Sequence, residues 1–271
     1  MEEFRIQSKE SALSNALERA GLVATKVAWL TECGSTMDVA KEYLKNCDDA
    51  PLAVFTERQT AGRGRNGSTW LHATDGLAGT VVLRSFATHR SCLGLSLVVG
   101  IALAELFDDH GVQLSLKWPN DLLTLEGEKV GGILIEIVER DGKIIPMIGI
   151  GLNLLSGPDD VFGAGGLHCP VEISVFAASL IERLQQAVLE FAERGFAPFR
   201  DRFLHRAAYC GEEVEFFADG AERRGRMIGV SHEGALEVQV DQRLCSFHSA
   251  DRLRGVGVQA IGSSQGVNNG E

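Results

Sequence analysis

Glycines and arginines alternate in QTAGRGRNGSTW, residues 59–70: Gly62, Arg63, Gly64, Arg65 and Gly67, with Trp70 closing the run. Glycine lets backbone N–H groups fold over an anion. Arginine supplies forked donors matched to phosphate or carboxylate oxygens. These residue types point to an anionic ligand and to a loop that is mobile when empty and orders once an anion neutralises it. A solvated surface turn is the plain alternative.

Formally the run reads G-x-G-x-x-G, the fingerprint of a dinucleotide turn. That turn needs its last glycine to open a helix packed on the preceding strand. Here Gly67 is followed by STWLHATDGLAG, which carries glycines and polar residues but no helical apolar stripe. No Gly-Lys-Ser/Thr follows, so the loop is not a Walker A either.

The elements that must position this loop can be read from period and punctuation. A helical stretch over Ser11–Arg19 closes at Gly21, and VAWLTEC reads as a strand. Ser35 starts a helix, STMDVAKEYLKN, with Asp38 as a capping-box-like partner. LAVFTER is a strand running straight into the glycine loop, and GTVVLR is another. Residues 91–110 form a long apolar helix stopped by Gly111. The runs LSLKW, DLLTL, KVGGILIEIVER and KIIPMIGIGLNLL are strand-like, with Asp141-Gly142 as a hairpin turn. An amphipathic helix over 174–194 ends at Gly195, and FAPFRDRFLHRAA is a short one. From Gly211 the texture changes to short strands with turns at ADG, HEGA and DQR, which predicts a small β-barrel. The expected organisation is a helical segment over 1–26, a main domain over 27–208, a β domain over 209–255 and a disordered tail over 256–271. Helices mixed with antiparallel hairpins make this α+β, a mixed but mostly antiparallel sheet with helices packed on one face.

Composition narrows the partners. The chain of 271 residues has a formal charge of −11 and a pI near 5.2, which argues against broad binding to nucleic acid or an anionic membrane. The six cysteines, Cys33, Cys47, Cys92, Cys169, Cys210 and Cys245, show no C-x-x-C and no zinc-ligand spacing. MEEFRIQSKE lacks the apolar core of a signal peptide, and the longest apolar stretch falls short of a membrane span, so a reduced, cytoplasmic, soluble protein is expected. His72, His89, His110, His168, His205, His232 and His248 accompany no recognisable Ser or Cys nucleophile motif. Nothing flanking Cys33 lowers a thiol pKa in a readable way.

Four elements in order, STMD at 35–38, QTAGRGRNGSTW at 59–70, KWPNDLL at 117–123 and KVGGILIEI at 129–137, resemble the biotin–protein ligases. GIGLN at 149–153 and GLSLVVGIALAEL at 94–106 agree, and the terminal strands fall where that family carries an SH3-like domain. The resemblance covers about residues 27–254. It implies an enzyme that joins biotin to ATP as biotinyl-5′-adenylate, with Mg2+, then passes biotin to one lysine of a carboxyl carrier protein. A carboxylate must then approach a phosphate, so fixed cations and donors are needed. The adenylate must also be sheltered from water.

The resemblance assigns roles residue by residue. Ser35 and Thr36 would hydrogen-bond the biotin rings, with Ser35 also a helix N-cap, and Gln59 would face the ligand at the loop entrance. Gly62, Arg63, Gly64 and Arg65 match the adenylate-covering loop, the arginines touching phosphate and carboxylate. Trp70 would stack near adenine, or else belong to the core. Lys129 matches the lysine that contacts the biotin carboxylate and the adenylate phosphate; composition alone would make it an exposed hairpin lysine. Asn120 and Asp121 lie near nucleotide and metal, Asp121 as a Mg2+ ligand or an orienting carboxylate. Lys117 would contact the triphosphate or orient its neighbours, while Trp118-Pro119 is structural. Gly132, with Gly149 or Gly151, would admit the ligand close to strand backbone, and Asn153 resembles an adenylate contact.

Departures from the family pattern are Met37 where Asn is frequent, Ser68 where many members carry arginine, and GLAGTVVLR in place of an Asn-Leu start. The resemblance is to forms without an N-terminal DNA-binding winged helix, so no repressor activity is expected, and it admits a homodimer. A lipoate or octanoate ligase or transferase of the same fold, or a biotin-binding module without turnover, is the competing reading.

Overall fold

The computed structural model describes residues 2–46, 51–83, 86, 88–158, 161 and 163–256. The expected tail thus lies outside the described residues except for Val256. Helix α1 (Glu2–Arg19) begins earlier than the sequence suggests and leads into β1 (Lys26–Cys33), α2 (Thr36–Asn46), β2 (Leu52–Gln59) and β3 (Leu77–Val82). Helix α3 (Leu95–Asp108) follows, then β4 (Ser115–Lys117), β5 (Asp121–Leu123), β6 (Lys129–Arg140) and β7 (Lys143–Leu152). Helices α4 (Ile173–Arg194) and α5 (Arg200–Leu204) close this part of the chain.

Seven strands form one sheet in the order β1-β2-β3-β7-β6-β5-β4. Only β1 and β2 run parallel; every other neighbouring pair is antiparallel. The long β6–β7 hairpin turns at Asp141 and Gly142, whose φ of 51° and 73° are the two left-handed positions of a tight turn that matches strand twist.

The expectation that helices pack on one face is corrected. Trp29, Ala53, Phe55, Leu77 and Val81 turn to one side and join α1, α3 and α4 in the main core. Their neighbours Ala28, Leu52, Val54 and Val82 turn to the other side, where Met37, Ala40 and Leu44 of α2 cover them with Ile145 and Met147 in a separate cluster. A strand alternates its faces with period two, so apolar residues at consecutive positions require cover on both sides. Because α2 spans one end of that second face only, the middle and far end are left for the glycine loop and the C-terminal strands.

Those strands are β8 (Glu213–Ala218), β9 (Ala221–Val230), β10 (Leu236–Val240), β11 (Arg243–Phe247) and β12 (Asp251–Gly255), an antiparallel sheet ordered β11-β10-β9-β8-β12. Its core gathers Val214, Phe216, Met227, Val238, Phe247 and Leu253. Polar ties dock it on the main sheet: buried Trp118 donates Nε1–H to the Gly234 carbonyl at 3.0 Å, and Arg200 donates to the Val230 carbonyl at 2.7 Å. Trp118→Phe keeps a six-membered aromatic ring but loses the pyrrole part of the indole and strips the donor from a buried acceptor; the lost donor alone costs about 1–3 kcal/mol, and the emptied space adds to it. Urea unfolding is expected to show that loss, and an unchanged midpoint would count against this docking role.

Candidate active site

The second sheet face carries two adjoining concavities. The inner one, about 30 Å³, is lined by Ser35, Thr36, Met37 and Gln59 and, from β3 and β7, by Gly79, Gly149, Ile150 and Gly151. The outer cleft, about 580 Å³, is lined by residues 63–70, by Asn120, Asp121, Lys129, Gly132 and Ile133, and by Phe217, Asp251 and Arg252 of the C-terminal sheet. Arg63, Trp70 and Leu134 line both and form the partition.

Helix α2 begins at the inner wall, and its first residues are fixed there. The Thr36 amide donates to Gln59 Oε1 at 2.9 Å, and its hydroxyl lies 3.2 Å from the same oxygen and 2.8 Å from the Thr80 hydroxyl. Ser35 and Thr36 are both 2% exposed, so each hydroxyl faces protein or pocket. Met37 is buried and gives the pocket an apolar wall where the family pattern often has an amide.

Glycines of β6 and β7 leave the middle of the sheet bare, and side chains lie on it. A Cβ at Gly151 would come within 2.6 Å of the Trp70 indole, and one at Gly132 would come to 3.2 Å of the same ring. At Gly149 the neighbour is Met37 Sδ, 3.1 Å from such a Cβ. The close approach expected of a ligand is made in this structure by Trp70 and Met37.

Trp70 also ends an arch. Its amide donates to the Gly62 carbonyl at 3.0 Å, Gly64 donates to the Ser68 carbonyl at 2.7 Å, and the Ser68 amide and hydroxyl both donate to the Arg65 carbonyl, at 3.0 and 2.8 Å. Ser68, the departure from arginine, thus stitches the arch internally. A ladder contact pairs Arg63 with Thr69. Side chains add to these bonds. Arg63 donates to Asp38 at 2.6 Å and lies 3.3 Å from Glu136. The Asp38 carboxyl, which the sequence read as a helix cap, is held below the usual carboxylate range by its bond to Arg63, and the guanidinium is pushed up in turn. Arg65 reaches the C-terminal sheet, 3.3 Å from the Ala250 carbonyl and 3.6 Å from Asp251, while Asn66 donates to Asp251 at 2.7 Å.

Lys129 sits where the β5–β6 register shifts: Leu123 pairs with Lys129 and Leu122 with Gly131, so Val130 is the extra residue. Such a bulge re-aims the side chains beside it. The Lys129 ammonium lies 2.6 Å from Asp121 and 5.7 Å from the Trp70 ring centroid. Asp121 also stands 3.6 Å from Lys117, so one carboxylate bridges two ammonium groups.

Three expected residues stand outside both concavities. Gly62 is the hinge of the arch, where a Cβ would press on Gln59 Nε2 at 2.6 Å. Lys117 backs Asp121. Asn153 is buried, donating to the Gly165 carbonyl at 3.0 Å beside Lys129, and its Oδ1 has no partner among the described residues. Asn120 lines the cleft, yet its amide is engaged by the Ile133 carbonyl at 2.9 Å. Glu136, Thr80, Phe217, Asp251 and Arg252 escaped the sequence reading. A glutamate inside the apolar strand KVGGILIEI was a usable signal; the three C-terminal residues left none.

The model for the biotin/lipoate A/B protein ligase family matches residues 31–154. The biotin–[acetyl-CoA-carboxylase] ligase of Paracoccus denitrificans is 34% identical over 197 residues, 68% of this chain and 82% of its own. The chain belongs to the biotin protein ligase family. The bifunctional ligase/repressor BirA of Bacillus subtilis (strain 168) is 27% identical, across 92% of this chain and 81% of that protein. Among solved structures, the Aquifex aeolicus biotin protein ligase in complex with biotin and ATP superposes with a TM-score of 0.72 at 26% identity, covering 85% of this chain and 99% of that one. Among the described residues no helix is long and apolar enough to cross a membrane.

Gly151→Ala places a methyl against the indole and is expected to lift Trp70 off the sheet. Acrylamide quenching of tryptophan emission checks it, since Trp29 and Trp118 are buried; quenching equal to that of the unmodified protein would contradict the partition.

Proposed function

We propose that this chain ligates biotin to a carrier protein by way of biotinyl-5′-adenylate. The observation that carries the reading is the partition: an inner pocket of hydroxyls, an amide and apolar wall meets a cationic cleft at Trp70 and Arg63. The inner pocket suits the ureido ring system, with Ser35, Thr36 and Gln59 as hydrogen-bonding groups and Met37 and Gly149 beside the apolar part. At about 30 Å³ the pocket has room for little more than water, so a bicyclic ligand enters by shifting Trp70 or Met37. The outer cleft suits ATP, a ligand of the Aquifex aeolicus relative.

The chemical step joins two anions. A biotin carboxylate oxygen attacks the α-phosphorus, the bond to the bridging oxygen breaks, and pyrophosphate leaves with the electron pair. Lys129 and Arg65 stabilise charge at that point, Lys129 being already aimed by Asp121 and the Trp70 face. Fixed cations of this sort need no reorganisation at the moment of reaction. The carrier lysine then attacks the acyl carbon, and AMP departs.

For Mg2+, the described residues hold no group of three acidic, His or Cys side chains. Asp121 is already taken by the Lys129 and Lys117 ammonium groups, so the residues present do not fit an ion held by the protein, and Mg2+ would have to ride on the substrate phosphates. Carried in that way, the ion would screen the triphosphate. The C-terminal strands are read as an SH3-like domain over 209–255, appended to a catalytic unit over 27–208. A formal charge of −11 offers DNA no broad electrostatic attraction, so the reading includes no repressor role.

Biotin-dependent exchange of labelled pyrophosphate into ATP tests the reading, followed by transfer of biotin to a carboxyl carrier domain. Exchange with lipoate but not biotin would move the chain to the sister activity, and no exchange with either would leave a binding module. Lys129→Ala is expected to lower the turnover number by about a hundredfold to a thousandfold; turnover within a factor of about three would remove Lys129 from the chemistry.

A further inference from the structure

The two loop arginines face different surroundings. Every nitrogen of the Arg63 guanidinium is already engaged: Nη1 donates to Asp38 at 2.6 Å, and Nε and Nη2 lie 3.4 and 3.3 Å from Glu136 Oε1. One cation between two carboxylates leaves a local excess of negative charge, which repels an arriving phosphate. Arg65 meets a single carboxylate at 3.6 Å and a carbonyl at 3.3 Å, an arrangement that a polyphosphate displaces more readily.

The partners of Arg63 also sit where a strut would be useful. Asp38 lies in the first turn of α2, three residues past Ser35 and two past Thr36. Glu136 lies on β6 opposite Met147, two residues past Leu134, which lines the inner pocket. A guanidinium spanning them bridges the mouth of that pocket, and the arch beginning at Gly62 is fixed with it.

We propose that Arg63 is a positioning residue: Asp38 and Glu136 hold it as a strut that fixes the glycine loop over the inner pocket, and phosphate contact falls to Arg65 and Lys129. This rests on the ligase reading above and replaces the phosphate contact that the sequence suggested for Arg63. The strut acts on capture of biotin, before chemistry, so its loss falls on the biotin KM. Removing its carboxylates and removing its cation then have the same effect.

The test compares Arg63→Gln with the double variant Asp38→Asn/Glu136→Gln, and adds Asp38→Glu as the conservative change. In biotin-dependent pyrophosphate exchange both are expected to raise the biotin KM alike, by about tenfold as two partly exposed ion pairs allow. The ATP KM and kcat stay within about twofold, and Asp38→Glu stays near the unmodified protein. Amide hydrogen exchange over residues 62–70, without substrates, reads the strut independently of any activity; both variants are expected to exchange faster there, with unchanged melting temperature. A defect of Arg63→Gln in kcat or ATP KM that spares the double variant would make Arg63 a phosphate ligand and overturn the proposal. Unchanged loop exchange in both variants would overturn it as well. Absence of biotin-dependent exchange in the unmodified protein would instead sink the ligase reading, and the loop measurement would still decide the strut.

Discussion

A flat indole on a side-chain-free patch of sheet organises this site. Trp70 can lie against β6 and β7 only because Gly132 and Gly151 put nothing beneath it. That one contact separates pocket from cleft, supplies an aromatic face near Lys129 and anchors the far end of the arginine arch through the Gly62 carbonyl. The glycines weaken the strands as strands, since they bring no side chain to pack. The sheet tolerates them because β6 pairs with β7 without a break from Gly131 to Arg140 and the opposite face is filled by the main core.

Electrostatics follows a second constraint. The chain is acidic, yet the cleft must receive a polyanion. Its cations are held by carboxylates: Asp121 for Lys129 and for Lys117 behind the cleft, Asp251 for Arg65, Asp38 and Glu136 for Arg63. Such partly exposed pairs contribute little to stability, on the order of 1 kcal/mol or less each. What they do is hold flexible side chains in one place, which is where catalytic cations differ from ordinary surface lysines and arginines.

How far the sequence spoke depended on the range of each interaction. Strand and helix periods are local, so the hairpin at Asp141-Gly142 and the helix closed by Gly195 were readable from their own residues. The structure brings Thr36, Gln59, Trp70, Asp121 and Lys129, which stand in four separate motifs, to the lining of two adjoining concavities. The side of the sheet taken by α2 was not readable, because an apolar stripe says that a helix is covered and not by which face. Asp38 looked like a helix cap, since a carboxylate three residues after a serine has that local use; its long-range partner Arg63 won because charge pairs with charge across the fold. Asp251 and Arg252 carried no local signal at all, being nearly two hundred residues from the loop they meet.

That last contact bears on why the terminal strands belong to the site. At β12 the ladder with β8 skips: Asp251 faces Phe217, and pairing resumes only at Arg254 with Glu215. Arg252, in between, takes φ of 54°, an uncommon conformation for a residue with a side chain. Backbone held in that region persists only where the surroundings over-determine it. Here they do: Asp251 is tied to Asn66, the guanidinium of Arg252 lies 5.1 Å from the Phe217 ring centroid, and the whole sheet is docked by Trp118 and Arg200. The skip turns Asp251 and Arg252 towards the cleft together, whereas a regular strand would send one of them to the opposite face. The wall of the cleft facing the glycine loop is thus built by an irregularity, and its position depends on docking bonds that the main sheet supplies.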